Sequence, residues 1–322
     1  MLFRSLLIEH GADVAAQNEH GSTPLHRASN RGDVDVARLL IEHGADAAAQ
    51  DKHGLTPLLR ASDRGDVDVA RLLIEHGANV AAQNEHGWTP LRQASLRGHM
   101  DLARFLIEHG ADTAAQDDDG WTPLHWASSR GHVNVARLLI EHGANVAAQN
   151  ERGSTPLHRA SLRGHVDLAV LLIEHGADMT AQDKHGSTPL HWASLGHHVD
   201  LARLLIELGA DVAAQDKHRS TPLHQASSRG YVDLARLLIE HGANAAAQDK
   251  HGSTPLHQAF SGGYVDLARL LMEHGVDAAV QDDHESTERV PMPGEEDEDT
   301  LMAVDEEFDV GPTTNGLVLT NS

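Results

Sequence analysis

Cysteine is absent from all 322 residues. That excludes disulfides, thiolate metal sites and cysteine nucleophiles, and it fits a cytoplasmic setting or a nuclear one. Positive charge is scarce: 25 Lys and Arg face 48 Asp and Glu, a formal charge of −23. Such a balance repels a phosphate backbone, so no direct nucleic-acid partner is expected. Long apolar runs are also missing. Segments such as Leu138-Leu139-Ile140 fall far short of the roughly 20 residues a bilayer crossing needs, so no membrane insertion is expected. The opening Met1 to Ile8 has the look of a signal peptide, but from Leu6 it reads LLIEHGAD, the string found again at Leu39 and Leu171, and so counts as structure. No Ser/His/Asp order, phosphate-cradling glycine loop or singular carboxylate pair stands out, so the expectation is no enzyme, no catalytic residue and no cofactor.

What is present is a period. The string TPL recurs with its threonine at Thr23, Thr56, Thr89, Thr122, Thr155, Thr188, Thr221 and Thr254, every interval being 33 residues. LLIEHGA and its variants recur on the same period from Leu6 to Leu270, which makes eight full units preceded by a half-unit. Within one unit, Thr122 suits a helix N-cap and Pro123 the first helical position, where its missing N–H costs nothing. A helix of about two turns should therefore run from Pro123 to a stop near Gly131. A second should run from Val133 to His142, with Val133, Val135, Ala136, Leu139 and Ile140 forming its apolar stripe. Two helices this short bury too little apolar surface alone, so each unit needs its neighbours and the units must stack.

A 33-residue unit carrying TPLHxA resembles the ankyrin repeat. The likeness covers residues 1–284 and implies an all-α solenoid of helix-turn-helix repeats joined by short β-hairpin loops. It also implies that hairpin tips and first helices line a groove for a protein partner, and that the histidine of TPLH joins a hydrogen-bond network between repeats. That histidine stands at His26, His125, His158, His191, His224 and His257, whereas Leu59 and Arg92 replace it in repeats two and three, where a weaker network is expected. His197 and Arg219 occupy positions where other units place a glycine, which makes positive φ harder to reach. Ala15, Ala48, Ala81 and Ala147 stand where ankyrin hairpins commonly carry Asn, so looser hairpins are expected.

Positions that differ between near-identical units are the candidates for recognition. Trp88 and Trp121 precede the Thr cap, while Trp126 and Trp192 fill the x of TPLHxA; elsewhere these positions hold Ser22, Leu55, Ser154 and Ser187, or Arg27, Arg60, Gln93 and Arg159. A core position would not accept Ser, Arg and Trp interchangeably, so the tryptophans are expected on the surface, as an aromatic patch extended by Leu96 and Leu162 and flanked by the three arginines. The competing reading is that Trp126 and Trp192 pad neighbouring helices. The 26 histidines recur without an accompanying Cys or acidic triad, so they read as repeated structural residues and no metal site is expected. Their protonation would still lower the negative charge in acid.

From Glu285 the repeat fails. Residues 285–322 are read as an acidic, disordered tail, and residues 282–322 alone hold 13 acids against one base. The function expected is a monomeric scaffold or adaptor for a protein partner. The alternatives are the regulatory segment of a larger signalling polypeptide, suggested by the uncovered apolar side of Leu6, Leu7 and Ile8, or a nuclear regulator acting through Leu301, Met302, Val304, Phe308 and Val310 among the tail's acids.

Overall fold

A computed structural model describes residues 13–274, all within the first of the two compact units into which the chain divides, Met1–Ala278. The half-unit at Leu6 and the acidic tail lie outside the described residues. Sixteen helices, two per repeat, form among those that are described. Repeats one to four are α1 (Pro24–Arg31) and α2 (Val34–Glu42), α3 (Pro57–Arg64) and α4 (Val67–Glu75), α5 (Pro90–Arg97) and α6 (Met100–Glu108), α7 (Pro123–Arg130) and α8 (Val133–Glu141). Repeats five to eight are α9 (Pro156–Arg163) and α10 (Val166–Glu174), α11 (Pro189–Leu195) and α12 (Val199–Glu207), α13 (Pro222–Ser228) and α14 (Val232–Glu240), α15 (Pro255–Ser261) and α16 (Val265–Glu273). The array is the all-α solenoid expected of the period. Its two layers differ: first helices of successive repeats pack more closely than second helices do.

Each first helix starts the same way because the same Thr-Pro-Leu solves the same problem. A helix N-terminus leaves its first N–H groups unpaired; the Thr hydroxyl takes one and Pro at the first helical position lacks one. In repeat five, Thr155 Oγ1 accepts from the His158 N–H, while the Thr155 N–H donates to His158 Nδ1 at 3.2 Å. With Nδ1 an acceptor, Nε2 carries the proton and donates to the Ser187 carbonyl of the next repeat at 3.1 Å. The same chain of bonds links His26 to Leu55, His125 to Ser154, His191 to Ser220 and His224 to Ser253. Leu59 and Arg92 have no imidazole to make it; their backbone N–H groups simply cap on Thr56 and Thr89.

A second histidine row, absent from the sequence-level expectation, ties the other side. His99, His132, His165 and His198 precede the second helices, and each Nε2 bonds a carbonyl of the preceding repeat, on Asp63, Leu96, Ser129 and Leu162, at 2.8–3.2 Å. The ring lies so close to the preceding repeat's inter-helix turn that a Cβ on Gly65 would meet His99 within 2.7 Å. Gly65 is thus required twice, for its φ of 83° and for that close approach.

The hairpins differ from expectation in two ways. No strand forms among the described residues, because neighbouring tips share a single backbone bond, such as Lys52 N–H to the His20 carbonyl at 3.0 Å, too few for a ladder. Nor are the turns loosened by the alanines. Asp46 Oδ1 accepts from the Ala48 N–H at 2.8 Å, and Asp51 Oδ1 accepts from both the His53 and Leu55 N–H groups at 3.0 Å. The bonding that Asn was expected to supply at Ala48 comes from the Asx residues on either side of it. His197 and Arg219 do adopt positive φ, 58° and 60°. His197 is compensated: its ring stacks on Tyr231 at 4.1 Å and bonds Asp233 at 2.7 Å.

Candidate partner-binding face

The four tryptophans are not on the surface. Trp88, Trp121, Trp126 and Trp192 are 4–8 % exposed, and Leu96 and Leu162 are buried as well, Leu162 in a small cluster with Trp192 and Leu195. The expected surface patch is therefore corrected to an interior row, and the padding alternative describes its geometry. The physical reason lies in what each side chain faces: a guanidinium or an indole of its own or the adjoining repeat. The Arg92 guanidinium sits between the Trp88 and Trp126 rings, at 3.8 and 4.0 Å from their centroids. Trp126 stacks on Trp121 at 4.5 Å, and Arg159 lies over Trp121 at 4.3 Å and Trp192 at 5.5 Å. Two arginines are inserted among the four indoles of repeats three to six because a guanidinium plane and an indole face are complementary. Interchange of residue type along the row reflects this pairing, not exposure.

Asp at the foot of the hairpin anchors the row. Nine residues before each x position stands Asn or Asp, whose Oδ1 holds the turn. In repeats two, four and six its Oδ2 also takes a side chain of the first helix. Asp51 accepts from Arg60 at 3.3 Å, Asp117 from Trp126 Nε1 at 2.9 Å and Asp183 from Trp192 Nε1 at 3.0 Å. Burial pushes the Asp117 carboxyl above its ordinary range, against the bonds from the Trp121 N–H and Trp126 and the charge of Arg92. Arg159 is 2 % exposed, and burial, followed by the nearby Arg152, lowers it to about 9, so it stays a cation at neutral pH. Arg92 donates to Gln93 and lies 4.0 Å from Asp117.

The remaining candidates reach water. Arg27 is exposed and Arg60 half-buried, both on first helices beside the hairpin tips. The structure thus gathers Trp88, Trp121, Trp126, Trp192 and Arg159 into one row, packs Leu162 against Trp192, buries Leu96 as well, and leaves Arg27 and Arg60 toward the N-terminal end of the array. A model of ankyrin repeats matches residues 2–84, 80–150, 146–216 and 213–282, nearly the whole chain.

The chain belongs to the ankyrin-repeat family.

No curated protein matches it in sequence. Ankyrin repeats are protein–protein interaction modules on a non-catalytic fold. In this ankyrin array the Asp and Asn at the hairpin foot were passed over in the sequence, although their signal was there: an Asp or Asn recurs at Asn18, Asp51, Asn84, Asp117, Asn150, Asp183, Asp216 and Asp249, one per 33 residues.

Proposed function

We propose that this ankyrin array is a monomeric, non-enzymatic scaffold of the cytoplasm or nucleus that grips one protein partner along its hairpin tips and first helices. The observation that supports this is where the repeats differ. The second helices are near copies, VDVARLLIE in α2 and α4 and VDLARLLIE in α12 and α14, and such copies cannot tell partners apart. Variation is concentrated at the tips, as in His20, Asp119 and Arg152, and along the first helices, at the positions of Arg27, Trp126 and Gln225. In this reading Trp88, Trp121, Trp126, Trp192, Leu96, Leu162 and Arg159 form the rigid floor of the face, while Arg27 and Arg60 project from it. A preordered floor lowers the entropy that binding must overcome. The test compares the tagged full chain with Arg27→Glu/Lys52→Glu and with Arg137→Glu on the exposed side of α8 in co-precipitation from a lysate. Loss of the captured protein with the first variant and retention with the second is expected; the reverse pattern overturns the proposal.

A further inference from the structure

Repeat five sets Asn at the hairpin foot together with a buried Arg in the row. Asn150 stands where repeats two, four and six have Asp51, Asp117 and Asp183, and Arg159 follows it at the same nine-residue interval that joins Asp51 to Arg60. Its Oδ1 still holds the turn, accepting from the Arg152 and Ser154 N–H groups at 3.0 and 2.9 Å. Its other atom is a donor. Asn150 Nδ2, Arg159 Nε and Nη1, and Ser154 Oγ are all buried without a hydrogen-bonding partner among the described residues. The carboxylate of the next repeat, Asp183, is engaged by Trp192 Nε1 and by the His185 and Ser187 N–H groups. Ser154 stands where repeats three and four have Trp88 and Trp121, so repeat five carries a hydroxyl rather than an indole at that position.

A buried cation without hydrogen-bonded acceptors is costly, and the same Asn–Arg combination in repeat one carries no such cost because Arg27 is exposed. What repeat five has in surplus is donors, one of them cationic, at the place where repeats two, four and six set a carboxylate oxygen. Arg152, at a tip that carries His or Asp in the other repeats, adds a second positive charge nearby.

We infer that repeat five holds a carboxylate-recognition site, in which Arg159, Asn150 and Ser154 receive an acidic side chain supplied from outside the repeat array. The inference rests on the scaffold reading for its biological use, not for its chemistry. An entering carboxylate draws the Arg159 guanidinium off the Trp121 and Trp192 faces, so occupancy reports itself in tryptophan emission. Asn150→Asp builds the missing acceptor in place and closes the site.

The experiment is a titration of the full chain and of Asn150→Asp with sodium acetate at constant ionic strength, read by tryptophan fluorescence and melting temperature. Acetate at about ten times its Kd is expected to raise the wild-type Tm by about 2–3 °C and to change its emission. Asn150→Asp should melt higher without acetate and respond to neither readout. Equal responses of the two proteins, or no response of wild type, Asn150→Asp and the amide variant below alike, overturns the site. A third protein, with Glu295, Glu296, Asp297, Glu298 and Asp299 changed to their amides, separates the sources. A larger acetate response than wild type assigns the carboxylate to the chain's own acidic stretch, and an equal response assigns it to the bound protein. If acetate distinguishes Asn150→Asp from neither wild type nor the amide variant while Arg27→Glu/Lys52→Glu still abolishes capture, this inference falls and the scaffold stands.

Discussion

Between Trp88 and Trp126, the Arg92 guanidinium presents planar faces to two indoles and edge donors to Gln93, so one residue both packs and carries charge. That dual character hid the burial of the row: Ser and Trp at one position, and Arg and Trp at another, suggest solvent only if each side chain is judged alone. Trp126 is 6 % exposed and anchored on Asp117, so Trp126→Ala should lower the unfolding free energy by about 3–5 kcal/mol in urea denaturation, where a surface residue would give nearly no change. Arg219 holds φ at 60° on an exposed side chain with no stacking partner like that of His197. Arg219→Gly is therefore expected to stabilise the array by about 0.5–1 kcal/mol, the relief of left-handed strain less the added freedom of the unfolded chain.

Within single elements the sequence was nearly transparent. Thr122, Pro123 and Gly131 act on their own helix, and the bounds read from them agree with Pro123–Arg130 and Val133–Glu141 to within a residue. Links between elements were legible only where one residue type carried them, as His125 does at its 2.9 Å bond to Ser154. The ladder from Trp88 through Arg92, Trp126, Trp121 and Arg159 to Trp192 was not legible, since its meaning lies in pairs separated by about one repeat and no residue of the pair declares its partner. The junction of repeats two and three offers a direct test. Leu59→His supplies the imidazole that other junctions have, beside Thr56 and below the Trp88 carbonyl. It should raise stability by about 1 kcal/mol and slow amide exchange at that junction, measured by hydrogen–deuterium exchange.

Across the whole array the histidine network makes stability depend on pH with a defined sign. Burial lowers His125 from its ordinary 6.5 to about 3 and His158 to about 4, and it lowers His26, His191 and His224 as well. Geometry gives the same answer: Nδ1 accepts from Thr, so a proton there would break the cap. As pH falls below about 6.5 the unfolded chain takes up protons that the folded chain refuses, and stability drops by up to about 1.4 kcal/mol per pH unit for each such histidine. That contribution is whole above pH 6.5 and is lost progressively toward pH 4. His125→Gln should make the slope of unfolding free energy between pH 7 and 5 shallower by about one histidine's worth. The histidine bonds, the tip bonds and the Arg92–Trp126, Arg159–Trp121 and Arg159–Trp192 contacts run between repeats, and a repeat cut out alone loses all of them. The most direct measurement of that claim is far-ultraviolet circular dichroism and urea titration of a peptide spanning residues 122–154, one repeat cut from the middle of the ladder. An unfolded peptide with no cooperative transition is predicted. A monomeric peptide with native helix content and a cooperative urea transition would contradict the account.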